Sequence, residues 1–339
     1  MKAMEEIKED EIKSKHSVNP SVEYASMNHQ GDLSNLKWCL HGDVIVRCNN
    51  GVSLSDRGFR YGQHLFETVA ARGGNYLFAK EHVHRLFKTA GHFGFPISKA
   101  CEKALCNFLH LAPPGEGLLR LYLTTGEGAV ASPIVAPNLF AFWEETLFPS
   151  REEIEQGVRL VSLKEPVGTT TWGEKTGNYW DHLRALETAR SMGASEGLIF
   201  DVEGRVISAA MANLLVWFDG KKGSVSESET DLFLVTPSQA RGARDGVVLS
   251  WVQGQVPEMI ECDITRNDLR KVTAMAITNS RLGVMPVVSL DGRKLPHLEL
   301  AIQLAHEYRK YSLNPVGKIF LSVSESFTEV PSRAKTRSK

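Results

Sequence analysis

Short apolar runs follow one another closely in the second half of this chain, and they limit the folds open to it. They lie at 197–200, 205–208, 213–218 and 232–235. Runs this short, separated by turn residues, are typical of buried strands rather than of helices. A longer stretch with the helical spacing of apolar residues, from Tyr179 to Ala189, stands before them. This order of elements predicts a mixed α/β fold.

A change in composition divides the chain. Aromatic density falls and proline appears at Phe148-Pro149-Ser150-Arg151, and a chain of 339 residues has room for two domains of ordinary size. Both ends of the chain are polar and are predicted to be mobile. We therefore predict a flexible N-terminal extension, a small α/β domain, a linker, a large second domain and a polar tail. These segments are 1–36, 37–148, 149–156, 157–321 and 322–339.

Turn residues mark two hairpins in the first domain. Asn49-Asn50-Gly51 lies between the apolar segments Asp43–Arg47 and Val52–Leu54, which predicts one hairpin there. Gly73-Gly74-Asn75 predicts a second hairpin, and a helix is expected to follow it from Glu81.

The composition excludes several classes of protein. Hydrophobic residues make up 42% and charged residues 23% of the chain, as in soluble globular proteins. The net charge of −1 gives no reason to expect nucleic acid or an anionic membrane as a partner. No apolar run approaches the ~18 residues of a spanning helix. The five cysteines contain no Cys-x-x-Cys and the N-terminus lacks the signal-peptide pattern, so we expect a cytoplasmic protein with reduced, mostly buried thiols.

A lysine in an aromatic and glycine-rich setting is the first candidate for chemistry. Lys175 lies in the stretch Trp172–Trp180, immediately before a predicted helix, and Gly173 and Gly177 let the backbone approach a ligand closely. A lysine held away from water among aromatic residues can lose its proton and act as a nucleophile or Schiff-base partner. A surface lysine in a polar turn is the alternative that this stretch alone leaves open.

Three further features carry donors suited to a phosphate. The glycine loop Gly242–Gly246 runs into an apolar helix, and amides at a helix N-terminus can receive an anion. Asn279-Ser280 follows the predicted strand Ala274–Thr278. Arg85 has a planar fork of donors that matches a phosphate better than a lysine would. An ordinary loop and a solvated arginine would give the same pattern.

Histidines near Arg85 raise the question of a metal site. His82 and His84 are two positions apart on a predicted helix, so their side chains point about 200° away from each other. We therefore expect no metal ion.

Taken together, these motifs resemble those of one known family. From about Lys37 to Tyr311 their order is similar to that in the class IV aminotransferases, which are pyridoxal-phosphate-dependent enzymes of fold type IV. The family contains branched-chain and D-amino-acid aminotransferases and aminodeoxychorismate lyase. The motifs are Arg-Gly-Phe-Arg-Tyr-Gly at 57–62, Glu-His-Val-His-Arg at 81–85, Lys175 with Asn178-Tyr179, Met-Ala-Asn at 211–213, the glycine loop, and Thr-Asn-Ser at 278–280.

The resemblance implies an architecture, a cofactor and an assembly. We expect a two-domain fold-type IV enzyme, with a small N-terminal α/β domain and a larger, β-barrel-like C-terminal domain with helices. The cofactor is expected to be pyridoxal 5'-phosphate, held as a Schiff base by the catalytic Lys175, and the protein is expected to be a homodimer. The other expected cofactor-binding residues are Arg85, Ser208, Gly246, Val247, Val248, Asn279 and Ser280.

Three positions depart from the family pattern. Ser208 stands where a glutamate usually pairs with the pyridine nitrogen, so a charge-assisted hydrogen bond becomes a neutral one. Val248 replaces a threonine of the phosphate loop, and Thr125 replaces an arginine that helps D-amino-acid aminotransferases and typical lyases to bind a substrate carboxylate. The candidate substrate residues are Tyr61, Phe66 and Thr125, and the possible substitutes for the arginine are Tyr61, Arg60 and Lys164.

Three functions remain open at this point. The expected function is transamination between an amino acid and an oxo acid, in which Lys175 moves the proton at the substrate's Cα. The first alternative is 4-amino-4-deoxychorismate lyase, which eliminates pyruvate, because Ala212-Asn213-Leu214 resembles the lyase-like members. The second alternative is a non-catalytic ligand-binding protein, which Ser208 and Val248 suggest.

Overall fold

The computed structural model describes residues 36–41, 44–48, 51–166, 173–219 and 232–315. The predicted tail and all of the predicted extension except Leu36 lie outside the described residues, as does Trp172.

The N-terminal half forms a sheet of six strands. They are β1 Lys37–His41, β2 Val44–Arg47, β3 His64–Arg72, β4 Asn75–Tyr76, β5 Gly117–Thr124 and β6 Asn138–Glu145. Their order is β2-β1-β6-β5-β3-β4, and every neighbouring pair is antiparallel. The central strands β3 and β5 pair along their full length, from His64 opposite Thr124 to Ala71 opposite Gly117.

Helices cover one face of this sheet. Helix α1 spans Arg57–Tyr61, α2 spans Ala79–His92 and α3 spans Lys99–Leu109. The apolar sides of α2 and α3 pack in one core with Leu119 and other leucines of β5. Since side chains alternate along a strand, Arg120 lies on the opposite face of β5, which these helices leave uncovered.

The C-terminal half forms a sheet of nine strands. They are β7 Val158–Ser162, β8 Glu196–Phe200, β9 Val206–Ala209, β10 Asn213–Asp219, β11 Leu232–Pro237, β12 Ile260–Cys262, β13 Val272–Asn279, β14 Gly283–Leu290 and β15 Arg293–Lys294. The order is β12-β11-β10-β13-β14-β7-β8-β9, with β15 beside β14. The sheet curls, because β9 at its end packs back against β10 and β11.

Four helices accompany the second sheet. Helix α7 packs on β13 and β14, α6 packs on β13, and α5 packs on β8. Buried residues of β10, β13 and α6 belong to one continuous hydrophobic core. The helices are α4 Arg151–Gln156, α5 Trp180–Ser191, α6 Val247–Gln255 and α7 Leu298–Leu313.

The predicted mixed α/β fold class is confirmed, and both sheets curl, but one local prediction is wrong. The partner of β2 is β1, with Trp38 opposite Arg47, and Val52–Leu54 is not a strand. The segment predicted as a linker contains α4, which begins with a capping box between Ser150 and Glu153. The position of the domain boundary stays a prediction.

Other expectations from composition can be compared with the same ranges. None of the helices there combines the length and apolarity that a membrane span requires. Among the described residues, no group of three or more His, Cys, Asp or Glu side chains could hold a metal ion. All five cysteines are free, but only Cys101 is fully buried, which is fewer than expected.

Candidate active site

A cavity of about 490 Å³ is walled by residues of both sheets. Cavities of this size accept small organic ligands in other proteins. Every residue predicted to bind the cofactor lies in its wall, and so does Phe66 from the predicted substrate residues. The predicted residues in the wall are Phe66, Arg85, Lys175, Ser208, Gly246, Val247, Val248, Asn279 and Ser280.

Backbone pairing with β3 places Lys175 in the wall. The amide of Phe66 donates to the carbonyl of Lys175 at 2.9 Å, and the amide of Gly177 donates to the carbonyl of His64 at 2.8 Å. A Cβ on Gly177 would lie 2.2 Å from the His64 ring, so only glycine allows this approach. The Nζ of Lys175 lies 4.4 Å from the centroid of the Phe66 ring. The aromatic setting predicted for this lysine is therefore present.

The surroundings of Lys175 favour a neutral amine. Burial lowers the pKa of Lys175 well below its ordinary value, and the positive charge of Arg244 adds to this effect. Arg85 and Arg120 lower it further, whereas Glu67 acts in the opposite direction. A neutral amine is the form that attacks a carbonyl carbon.

A buried carboxylate orients Arg85. Its Nε and Nη2 atoms donate to the two oxygens of Glu67, each at 2.7 Å, and His82 Nδ1 lies 2.8 Å from the same carboxylate. The charge and hydrogen bonds of Arg85 outweigh the burial and hold the pKa of Glu67 far below its usual range. Arg85 Nη1 donates to the carbonyl of Asp245, next to the glycine loop. The guanidinium is thus fixed beside the start of α6.

The start of α6 is open to a ligand. Gly246 is the N-cap of α6, and no side chain caps the first amides of the helix. Val247 and Val248, which carry two of these amides, lie in the cavity wall. A Cβ on Gly246 would lie 2.0 Å from Asn213 Oδ1. Asn213 Nδ2 donates to the carbonyl of Arg244 at 2.6 Å and fixes the loop before the helix.

Polar side chains at the ends of β9 and β13 complete the wall. Ser208 is buried, and its hydroxyl donates to the carbonyl of Ala209 at 2.8 Å. Asn279 Oδ1 accepts from the amides of Arg281 and Leu282, and its Nδ2 donates to the carbonyl of Met211 at 3.2 Å. The Thr278 hydroxyl is buried in the wall without a hydrogen-bond partner among the described residues.

These donors fit pyridoxal 5'-phosphate. The α6 amides and Arg85 suit its phosphate, and Lys175 suits its aldehyde. The lone Thr278 hydroxyl offers a further hydrogen bond to a polar ligand.

Four residues suggested for the substrate lie outside the cavity wall. Thr125 is buried and bonds to Gln63 through its hydroxyl. Tyr61 and Arg60 are exposed on α1, and Lys164 lines a different pocket. The substrate roles of these residues stay predictions that the cavity geometry does not favour.

Three wall residues did not stand out in the sequence. Arg120 of β5 donates to Thr68 Oγ1 at 2.8 Å and to Glu144 Oε2 at 3.0 Å. Arg244 and His182 also line the cavity. An arginine inside an apolar strand such as β5 is a signal that could have identified Arg120.

The cavity is strongly cationic. The described residues of its wall include five arginines but only two carboxylic acids, Glu144 and Glu196. Burial raises the pKa of Glu196 to about 7, so its carboxyl is partly neutral at neutral pH. A site of this charge favours ligands that carry phosphate or carboxylate groups.

Comparison with known proteins identifies related sequences and folds. The family described as Amino-transferase class IV matches residues 64–290. A D-alanine aminotransferase of Staphylococcus epidermidis is 22% identical over 284 residues, which cover 80% of this chain and 96% of that protein. A fold IV-transaminase from Curtobacterium pusillum has a TM-score of 0.66 at 20% identity, covering 83% of this chain and 99% of that one. A 4-amino-4-deoxychorismate lyase structure from Pseudomonas aeruginosa has a TM-score of 0.67 at 26% identity, covering 81% and 98%.

The family match spans most of the cavity wall. It begins at the first residue of β3 and ends at the last residue of β14, so it includes Lys175 and the start of α6. The match covers more than half of the chain, and the solved structures share its fold. This chain belongs to the amino-transferase class IV family.

Proposed function

We propose that this chain is a pyridoxal-5'-phosphate-dependent aminotransferase that moves an amino group between an amino acid and an oxo acid. The supporting observation is the buried Lys175 amine, whose pKa is lowered well below its ordinary value, in a cationic cavity that also contains the start of α6. When bound, the cofactor would supply an electrophilic carbon for this amine and an electron-withdrawing ring.

The wall residues divide into those that bind and those that react. Arg85 and the first amides of α6 bind the phosphate and thereby fix the distance of the ring from Lys175. The amine of Lys175 would act first as the nucleophile and then as the base and acid that moves the proton from the substrate's Cα to the cofactor carbon. Phe66 packs beside the amine and keeps water from it.

Arg120 is the proposed partner of the substrate carboxylate. Thr68 and Glu144 hold its guanidinium on the side of β5 that faces the cavity. An arginine oriented in this way can present its planar donors to a carboxylate. This role would replace that of the arginine missing at Thr125.

A second candidate function is 4-amino-4-deoxychorismate lyase. The lyase structure from Pseudomonas aeruginosa supports it, since its identity to this chain is 26%. Both reactions need Lys175 and the same cofactor, and they differ in whether the substrate loses pyruvate.

Two assays separate these functions. The purified protein, loaded with cofactor, is incubated with L- and D-amino acids and either pyruvate or 2-oxoglutarate, and new amino acids are quantified. A parallel reaction with aminodeoxychorismate is assayed for pyruvate and aminobenzoate. Amino-group transfer that disappears in Lys175→Met supports the aminotransferase, whereas pyruvate release alone supports the lyase. A loaded protein without either activity favours a ligand-binding role, and a protein that binds no cofactor contradicts the proposal.

We also propose that the protein works as a homodimer. Phe59 and Tyr61 are exposed on α1, and an apolar surface of this kind is common at interfaces.

A further inference from the structure

We propose that Arg244, in place of an acidic residue, sets the charge of the cofactor ring, so that the ring nitrogen carries no proton in the loaded protein. This inference rests on the proposed cofactor-binding function. It follows from which charged groups lie around Ser208, and from how Arg244 is held.

Among the described residues of the wall, the two carboxyl groups, Glu144 and Glu196, already have other partners. Glu144 pairs with Arg120 through contacts of 3.0 Å and 2.9 Å, so its charge is already compensated. Glu196 accepts a hydrogen bond from the amide of Met211 at 3.2 Å. Because burial favours its neutral form, Glu196 is a poor substitute for a charged partner of a pyridinium.

His182 holds the Arg244 guanidinium near the loop that follows Ser208. His182 Nδ1 is 2.7 Å from the carbonyl of Ala210, so this nitrogen carries the proton and donates. The other ring nitrogen, Nε2, is then an acceptor, and Arg244 Nη2 lies 3.5 Å from it. Ala210 is two residues after Ser208. The guanidinium is therefore held near the wall where the family usually has its glutamate.

The effect of Arg244 on its neighbours agrees with this position. Its charge contributes to the lowered pKa of Lys175 and, after burial, to that of His182. A positive charge disfavours protonation of any nearby base, and a pyridine nitrogen would be subject to the same field.

A ring nitrogen without a proton changes the chemistry that the site supports. Such a ring withdraws electron density less strongly, so it stabilises negative charge at the substrate's Cα less well. Lys175 would then have to take the proton from Cα and deliver it to the cofactor carbon in close succession. The site would favour proton transfer over reactions that need long-lived charge at Cα.

The test is a direct measurement of the ring nitrogen. Holoprotein is prepared with pyridoxal 5'-phosphate labelled with ¹⁵N in the ring, and its ¹⁵N chemical shift is followed from pH 6 to 9. Free cofactor above and below its own titration gives the reference shifts for the neutral and protonated ring. We expect the wild-type protein to show the neutral shift throughout.

Two variants should reverse this state. Arg244→Leu removes the cation, and Ser208→Glu introduces the missing carboxylate, so each should move the resonance towards the protonated reference at pH 6. Arg190→Leu is the matched control, because it removes an exposed arginine of the same wall and should leave the shift unchanged. A protonated shift in the wild-type spectrum overturns the proposal even if a variant fails to fold.

Different results would contradict this inference and the proposed function. A wild-type protein that binds the labelled cofactor and shows the protonated shift at neutral pH overturns the role of Arg244. A neutral shift that persists in folded, loaded Arg244→Leu also overturns it. A protein that does not take up the cofactor contradicts the proposed function instead.

Discussion

The carboxylate of Glu67 and the guanidinium of Arg85 form a two-armed ion pair, 2.7 Å on each arm. Glu67 is on the face of β3 that packs against α2, whereas Phe66 is on the face towards the cavity. The pair therefore fixes Arg85, a residue of the cavity wall, to a carboxylate buried in the core. It explains how an arginine on a helix surface can be fixed beside the start of α6.

Glu67→Gln should weaken both folding and cofactor binding. The substitution leaves Arg85 and His82 with an incomplete partner, and breaking one side of a buried pair costs roughly 3 kcal/mol. Urea denaturation of the apoprotein measures this loss, and a fluorescence titration measures the cofactor affinity. Glu203→Gln is the control, because that carboxylate is 64% exposed beside Arg205, and such pairs contribute only about 0.5 kcal/mol. Equal effects of the two variants would contradict the positioning role of Glu67.

Lys175 should be the residue that borohydride links to the cofactor. Mass mapping of the reduced protein is expected to show the label on the peptide that contains Lys175. A label on another lysine, with none on this one, would end the assignment.

A second measurement uses the apoprotein, since the folded state binds the Lys175 proton less tightly than the unfolded chain. Stability of the wild type should therefore rise with pH towards the unfolded pKa of about 10.4, and Lys175→Met should show less of this rise.

The sequence predicted those turns whose backbone conformation is set by the turn residues themselves. Gly73 and Gly74 have positive φ values of 58° and 74°, and the turn between β3 and β4 lies where these glycines indicated it. Strand β14 was missed because Pro286, which has no amide hydrogen, interrupts its apolar pattern. Proline is tolerated there although β14 lies between β13 and β7.

The sequence predicted a residue of the cavity wall only where the pattern of neighbouring residues is enough to place it. Lys175 and the start of α6 have local patterns, and both lie in the cavity wall. Arg244 lies in a loop whose direction is set by the contact of Asn213 with its carbonyl, from a distant strand. Whether Arg120 faces the cavity depends on how β5 pairs in the assembled sheet. Such long-range pairing cannot be read from the local pattern of either residue.

Glu196 should make stability fall between about pH 4.5 and pH 7. Burial raises the pKa of Glu196 to about 7, so the folded protein binds this proton more tightly than the unfolded chain. The stabilisation is present below the unfolded pKa of about 4.3 and is lost as the pH rises through the folded pKa, with a total of roughly 3 kcal/mol. Glu196→Gln keeps an acceptor for the Met211 amide and cannot ionise. Urea midpoints at pH 5 and pH 8 should therefore differ less in this variant than in the wild type, and an unchanged difference would contradict the shift.

The loaded protein should have twice the mass of one chain in solution. One chain has a mass of 37.6 kDa, so light scattering at micromolar concentration should give about 75 kDa. A measured mass of one chain, with cofactor bound and activity intact, would show that the homodimer is not needed.

Arg120→Gln tests the carboxylate partner. The substitution leaves a shorter polar side chain without the charge and the planar fork, so an oxo acid should bind less tightly. We expect KM for the oxo acid to rise by a factor of about 10 to 100, which corresponds to the ~1.5–3 kcal/mol of a charge-assisted hydrogen bond. Cofactor affinity should be nearly unchanged, because the proposed phosphate contacts lie at Arg85 and α6. Glu144→Gln is the companion variant, since it leaves Arg120 charged but less firmly oriented. Its effect on KM should be smaller than that of Arg120→Gln, and an unchanged KM in Arg120→Gln would assign the carboxylate to another residue.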